Sequence, residues 1–208
     1  MEWKIMPLGA IEANCIILWS KSGDAWIVDP GEEGACVVSF LKSRSLKPAA
    51  ILLTHGHFDH IGGVAELEAA YPGLKTHISR QDEIMLGHPQ NSWPPAYPLR
   101  PRPGNLVCDL EDGMKFSAGG LEASIMATPG HTKGSVCIHF PDDNLILTGD
   151  TLFAGSCGRT DFPGGDMNEM RASLARLALL PPETEVIAGH GAVTTIGDER
   201  RGNPFMSV

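Results

Sequence analysis

The sequence predicts a single mixed α/β domain that spans residues 1–208. Short apolar runs typical of buried strands occur together with segments that have helical spacing. Their order is a strand pair, then alternating helices and strands, then a run of strands and a late helix, which is compatible with an α/β sandwich. With 42% hydrophobic residues, a chain of this length can bury one full core.

The first half of the chain is predicted to open with a β-hairpin. Its strands are Cys15 to Trp19 and Ala25 to Asp29, and the turn-forming residues 20–24 separate them. The elements predicted next are a helix ending near Ser45, a strand at 49–53, a helix at 64–71, a strand at 74–78 and a short helix at 80–86.

Strands dominate the prediction for the second half. They are residues 121–127, 135–140, 144–148 and 185–188. Before the last strand, Asp166 has the features of a helix N-cap. The helix after it would bury Met170, Leu174 and Leu177. We interpret the polar tail 194–205 as a solvated charge run.

Residues 88–103 are predicted to be extended, because they contain six prolines. The segment also carries Trp93, Tyr97, Arg100 and Arg102. A long loop of this composition is either a lid or binding loop that contacts a substrate, or a plain excursion over the surface. The sequence leaves both interpretations open.

The composition argues against several functional classes. A formal net charge of −9 at pH 7 and a pI of about 5.3 argue against a nucleic-acid-binding surface. Five cysteines without a Cys-x-x-Cys pair favour a reducing compartment over a disulfide framework. The sequence shows neither a secretory signal nor an apolar run of about 18 residues. We therefore expect a cytoplasmic protein without nucleic-acid or membrane partners.

The stretch from Thr54 to Gly63 is rich in metal-binding side chains. His55, His57, Asp59 and His60 lie within it, and neutral imidazole and carboxylate are ligands of zinc and iron. The stretch falls between a predicted strand and a predicted helix, where catalytic and binding groups commonly collect. A turn with solvated side chains is the alternative. Core packing does not require such a cluster, so metal binding is the better interpretation.

Further motifs extend this cluster to a family pattern. The run from His55 to His60 has the form His-x-His-x-Asp-His, and His131, Asp150 and His190 follow in Pro-Gly-His-Thr, Thr-Gly-Asp-Thr and Ala-Gly-His-Gly. In this combination the chain resembles the metallo-β-lactamase superfamily. The resemblance implies a four-layered αβ/βα sandwich that binds two divalent metal ions, with zinc favoured and iron or manganese as alternatives.

The resemblance also implies a role for each ligand. Metal 1 would be held by His55, His57 and His131, metal 2 by Asp59, His60 and His190, and Asp150 would bridge the two ions. Asp29 would orient a ligand histidine, although the sequence alone equally allows that it begins a turn. The implied reaction is hydrolysis, in which a hydroxide that bridges the metals attacks an ester-like carbonyl. Asp59 and Asp150 are the expected catalytic carboxylates.

Two segments resemble one branch of the superfamily, the single-domain type II glyoxalases. They are Gly158-Arg159-Thr160-Asp161-Phe162 and Asn203-Pro204-Phe205. The expected partner is therefore a small-molecule thioester such as S-lactoylglutathione. Arg159, Arg200 and Arg201 are the expected contacts of a substrate carboxylate. The C-terminal helical domain of two-domain glyoxalases is not expected here.

Other functions of the superfamily are the alternatives. A persulfide dioxygenase shares the Gly-Arg-Thr-Asp segment and would bind one iron through His55, His57 and Asp150. A β-lactamase would be expected to carry an export signal, and a nuclease to have a basic surface or an extra domain. A non-catalytic metal-binding protein would be expected to lack at least one of the seven ligands, but all are present.

Overall fold

The strand Ala13–Trp19 shows why this chain folds in layers. Its residues are buried along nearly the whole strand, and a strand covered on both faces needs a packing partner on each side. Within residues 1–206, which a computed structural model describes, two six-stranded sheets pack face to face. Helices cover the outer face of each sheet. The predicted four-layered αβ/βα sandwich is thereby confirmed.

The first sheet contains the N-terminal strands. They are β1 (Glu2–Leu8), β2 (Ala13–Trp19), β3 (Asp24–Val28), β4 (Lys47–Leu52), β5 (Thr76–His77) and β6 (Leu106–Val107), in that spatial order. Strands β1 to β3 are antiparallel, whereas β3 to β6 are parallel. The C-terminal ends of β3 and β4 therefore lie at the same edge of the sheet.

The second sheet has the spatial order β14-β13-β10-β9-β8-β7. Its strands, with the small hairpin β11–β12, are β7 (Lys115–Ala118), β8 (Leu121–Ala127), β9 (Val136–Phe140), β10 (Leu145–Gly149), β11 (Leu152–Phe153), β12 (Ser156–Cys157), β13 (Glu185–Ala188) and β14 (Thr194–Thr195). Strands β10 and β13 are parallel, and β8 has their direction because both β8 and β10 pair antiparallel with β9. Their C-terminal ends share one edge.

The helices form the outer layers and part of the loops. They are α1 (Gly34–Ser43), α2 (Phe58–Ile61), α3 (Val64–Ala70), α4 (Met167–Leu177) and α5 (Ile196–Gly202), with 3₁₀ helices at Arg80–Met85 and Pro141–Asp143. Helices α1 and α3 pack on the first sheet, and α4 and α5 on the second. None of the helices described in residues 1–206 is long and apolar enough to cross a bilayer.

Three apolar clusters hold the layers together. Between the sheets, Ile16 and Trp26 of the first sheet pack in one cluster with Ile125 of the second. Ile17, the next residue along β2, belongs instead to the cluster under α1 and α3, because successive side chains of a strand point to opposite faces. The third cluster buries Leu174 and other apolar residues of α4 against the second sheet.

The structure corrects two predictions about secondary structure. The tail 194–205 is not a solvated charge run, since it forms β14 and α5, and Glu199 is buried. The Glu199 carboxylate accepts hydrogen bonds from the Gly155 N–H at 2.8 Å and the Thr194 hydroxyl at 2.7 Å. The helix expected at 80–86 is a 3₁₀ helix. Strands β1, β6, β7 and β14 were not predicted, because they are mostly short or largely exposed.

Replacing Leu174 with alanine should destabilise the protein, because this residue is 1% exposed and its removal leaves a cavity under α4. We expect the free energy of unfolding to fall by about 2–5 kcal/mol. Leu179, just beyond the same helix, is 86% exposed, and Leu179→Ala should change that free energy by no more than about 0.5 kcal/mol. Denaturant unfolding followed by circular dichroism measures both. Equal effects of the two substitutions would contradict the buried position of α4.

Candidate metal centre and substrate cavity

The strand directions bring all seven predicted ligands to one edge of the sandwich. His55 to His60 follow β4, His131 follows β8, Asp150 follows β10, and His190 follows β13. Two backbone hydrogen bonds join the sheets here, from Asn14 N–H to Gly189 C=O at 2.7 Å and from Val136 N–H to Thr54 C=O at 2.8 Å. Ligand residues that are up to 135 positions apart in the sequence thus lie around a single site.

The ligand atoms form two groups. The first is His55, His57 and His131, and the second is Asp59, His60 and His190; within each group the ligand atoms lie within 4.8 Å of one another. In the first group, His57 Nδ1 is 2.8 Å from His131 Nε2. In the second, Asp59 Oδ2 is 3.2 Å from His190 Nε2 and 3.5 Å from His60 Nε2. These are the two sets that the family resemblance implied.

The Asp150 carboxylate lies between the two groups. Its Oδ2 is 3.5 Å from His131 Nε2 of the first group and 3.8 Å from His190 Nε2 of the second. Its Oδ1 is 3.4 Å from His60 Nε2. This position fits the bridging role predicted for Asp150.

Hydrogen bonds outside the centre leave the inward-facing nitrogens free to bind metal. In four of the five histidines the outer Nδ1 atom has its own partner: the Thr54 hydroxyl for His55, Asp29 for His60, the Arg159 carbonyl for His131 and the Ile11 carbonyl for His190. A carbonyl only accepts, so Nδ1 of His131 and of His190 is the donor to it, and Nε2 is the nitrogen that faces the centre. Such partners fix the tautomer and ring orientation of a metal ligand.

The residues present fit a pair of divalent cations. His55 Nε2, His60 Nε2 and Asp150 Oδ1 are buried without a hydrogen-bond partner in residues 1–206, which is costly unless another group binds them. Burial and then the neighbouring His131 lower the pKa of His57 to about 3, so this imidazole is neutral, as a ligand must be. The donor set of imidazoles and carboxylates suits zinc, iron or manganese.

The carboxylates of the second group attract positive charge. Burial lowers the pKa of His60, but Asp59, Asp150 and Asp29 outweigh it and raise that pKa to about 10. Burial alone would raise the pKa of Asp59, yet His60 and His190 lower it below the ordinary range. Asp59 is therefore ionised. Its negative charge attracts a neighbouring cation, which is either a protonated His60 or a metal ion.

Asp29 lies next to His60, on the outer side of the ligand groups. It is fully buried, and its Oδ2 is 3.0 Å from His60 Nδ1. The Thr54 N–H donates to Asp29 Oδ1 at 2.7 Å and the Thr54 hydroxyl to Oδ2 at 2.6 Å. Because both of its oxygens already accept hydrogen bonds from Thr54, Asp29 is better placed to orient His60 than to bind a metal itself.

Asp82 is a residue that the sequence analysis did not identify. It is 1% exposed and accepts hydrogen bonds from Gly56 N–H at 3.0 Å, Thr132 hydroxyl at 2.7 Å and Gly134 N–H at 2.7 Å. It thus ties the loop of His55 and His57 to the loop of His131. Only glycine fits at position 134, since a Cβ there would lie 2.6 Å from Asp82 Oδ1.

A cavity of about 860 Å³ opens beside the centre. Trp93 from segment 88–103 lines it and is 55% exposed. The segment is held in place on both sides of Trp93: the Asn91 amide donates to Gly56 C=O at 2.7 Å, and the buried Tyr97 hydroxyl accepts from Ile11 N–H at 3.1 Å. Arg100 also pairs with Glu32. The first part of the segment, from His88 to Trp93, therefore forms an anchored wall of the cavity.

The three arginines predicted to contact substrate are not equally placed. Arg159 lines the cavity, where it forms a bidentate ion pair with Asp161 at 2.7 Å and lies 3.8 Å from the ring centroid of Phe162. Arg200 and Arg201 do not line it. Both are exposed on α5, where Arg201 pairs with Asp198. The expectation for Arg200 and Arg201 is corrected, because the sequence did not reveal the direction of this helix.

Replacing Asp82 with asparagine should weaken metal binding. The amide nitrogen would face at least one of the three hydrogen-bond donors and release one ligand loop, so we expect affinity for zinc to fall about tenfold or more. Glu83→Gln is the matched control, since Glu83 pairs with Arg80 and Arg102 away from the ligand loops. Titration against a zinc chelator measures both variants. Unchanged affinity in Asp82→Asn would show that this carboxylate does not hold the loops.

Similarity to known proteins agrees with this geometry. The family model of the metallo-beta-lactamase superfamily matches residues 8–190. An uncharacterized protein of Mycobacterium leprae is 39% identical over 213 residues, which cover 96% of each chain. Hydroxyacylglutathione hydrolase GloC of Haemophilus influenzae is 34% identical over 212 residues, which cover 100% of this chain and 99% of that protein.

Solved structures of similar proteins share the fold. The crystal structure of BLEG-1 B3 metallo-beta-lactamase matches with a TM-score of 0.90 and 34% identity over 100% of both chains. The crystal structure of TTHA1623 in a di-iron-bound form matches with a TM-score of 0.81 and 37% identity over 97% of this chain and 99% of that one. A family match over most of the chain, together with relatives above 30% identity over nearly their full length, shows that the chain belongs to the metallo-β-lactamase superfamily.

Proposed function

We propose that the protein is a dinuclear metal-dependent hydrolase of thioesters, with S-lactoylglutathione as the representative substrate. The observation that carries this proposal is the pair of three-ligand groups with Asp150 between them. In the reaction, water adds its oxygen to the thioester carbonyl carbon and the C–S bond breaks. The products are a carboxylic acid and a thiol.

The ligands are divided between two ions in this proposal. His55, His57 and His131 would hold one ion, Asp59, His60 and His190 would hold the other, and Asp150 would be the ligand shared between them. When bound, such ions supply an activated water and polarise the carbonyl oxygen of the substrate. The metal belongs to the group of zinc, iron and manganese, with zinc favoured by the donor set.

The protein supplies groups for positioning and proton transfer. Asp59 Oδ2, 3.2 Å from His190 Nε2, faces the centre and can accept a proton during turnover. Asp29 and Asp82 fix the ligand loops from behind. The cavity beside the centre provides room for the substrate, and Arg159 offers its guanidinium to a substrate carboxylate.

Thioester specificity rests on two further observations. A relative that covers essentially the whole chain is named hydroxyacylglutathione hydrolase. In addition, Arg159 and Phe162 of the segment that resembles type II glyoxalases line the cavity beside the centre. The alternative, a persulfide dioxygenase with one iron on His55, His57 and Asp150, gives no role to the second group of ligands.

Replacing Asp150 with alanine should abolish hydrolysis of S-lactoylglutathione, because it removes the carboxylate between the two groups. The metal content of the variant should also fall below that of the original protein. Asp142→Ala, at an exposed position, is the control and should retain full activity. Thiol release measured with a chromogenic thiol reagent reports the rate. Retained activity in Asp150→Ala would rule out the two-metal scheme.

Protein purified without chelators and without oxygen should contain two divalent ions per chain. Elemental analysis gives both the identity and the number of the ions. Addition of a chelator should abolish hydrolysis, and restoring the ions should recover it. A single iron per chain, together with oxygen uptake in the presence of a persulfide, would instead support the dioxygenase.

A further inference from the structure

Two cationic side chains, Lys133 and Arg159, line the cavity beside the metal centre. Arg159 already has a partner, because its Nε and Nη2 atoms donate to the two oxygens of Asp161. This ion pair has no net charge. Lys133 is exposed and forms no ion pair with any residue in the described range 1–206. Of these two side chains, Lys133 is therefore the one whose positive charge has no counter-ion in residues 1–206.

The backbone around Lys133 is held firmly at the cavity. Asp82 accepts hydrogen bonds from the residues on either side, Thr132 and Gly134. The lysine is two positions from His131, a ligand in the proposed centre. It also lies beside the glycine-rich loop, since a Cβ on Gly164 would be 3.9 Å from its Cγ. The backbone of Lys133 is thus held between Asp82 of the 3₁₀ helix at Arg80–Met85 and the glycine-rich loop that follows Arg159.

We infer that Lys133 recognises an anionic group on the thiol half of the substrate. This inference rests on the proposed thioester hydrolase. A hydroxyacyl group carries no charge, so an anion near Lys133 must belong to the thiol. Glutathione supplies carboxylates and coenzyme A supplies phosphates, and an ammonium group attracts either. Thioesters of uncharged thiols should gain nothing from this residue.

A cation in the cavity wall favours an anionic substrate against the overall charge of the protein. A chain with a net charge of −9 repels anionic substrates at long range. One local cation offsets part of this repulsion. Because Lys133 is exposed, water and salt screen its attraction, and its contribution corresponds to a modest change in affinity.

The test compares Lys133→Gln with the original protein on two substrates, S-lactoylglutathione and S-lactoyl-N-acetylcysteamine, whose thiol is uncharged. We expect KM for the glutathione thioester to rise about three- to tenfold at unchanged kcat, and KM for the uncharged thioester to stay the same. Lys133→Arg should restore most of the affinity. Lys75→Gln, at an exposed position outside the cavity, removes the same charge and should alter neither KM.

Binding without turnover separates this inference from the proposed function. S-methylglutathione is a thioether without a thioester bond to hydrolyse, and calorimetric titration should show weaker binding to Lys133→Gln. If neither thioester is hydrolysed but this difference persists, the hydrolase proposal fails while anion recognition stands. The role of Lys133 would be overturned by unchanged S-methylglutathione binding combined with either of two kinetic results. In the first, KM changes equally for both thioesters; in the second, KM changes for neither. The same comparison is made with S-lactoyl-coenzyme A as a third substrate. A rise in KM for this thioester alone in Lys133→Gln would support recognition of phosphates.

Discussion

The parallel pairing of β3 with β4 and of β10 with β13 determines where the site can form. Each pair ends at the same edge of its sheet, and the two edges meet through the hydrogen bonds of Asn14 with Gly189 and of Val136 with Thr54. Every proposed ligand lies in a loop or in the short helix α2 that follows a strand at this edge. A shift of one sheet relative to the other would separate His57 from His131. Their Nδ1 and Nε2 atoms, respectively, are 2.8 Å apart. The metal centre therefore depends on the apolar packing between the sheets.

The buried polar groups of the centre in turn lower the stability of the fold unless they are paired. Asp59, Asp150 and four histidines are brought together with little contact to solvent, and burial of charged and polar groups is costly unless they are paired. Three atoms of the cluster have no hydrogen-bond partner within residues 1–206. Bound cations would satisfy them and offset the repulsion between Asp59 and Asp150. Metal binding would consequently stabilise the folded protein.

The sequence predicted those features that depend on local patterns. The spacing of His55, His57, Asp59 and His60 identified the ligand loop, and the cap at Asp166 correctly marked the start of α4. Asp82 was not predicted, because an aspartate in a short helical segment looks like a surface residue. Its function arises only when the fold brings Gly56 and Gly134, which are far apart in sequence, to the same carboxylate.

Reaction class and substrate choice have separate origins in this architecture. The buried ligands define which chemistry the centre can support, whereas the cavity wall also contains side chains that are not ligands, including Trp93, Lys133 and Phe162. The wall is nevertheless tied to the ligand loop, since Asn91 bonds to Gly56 C=O. Side chains on such an anchored wall can change without moving the ligands, because the backbone that carries them is fixed by other residues. Substrate specificity in this protein is therefore expected to lie in the wall, at residues such as Lys133, rather than in the metal ligands.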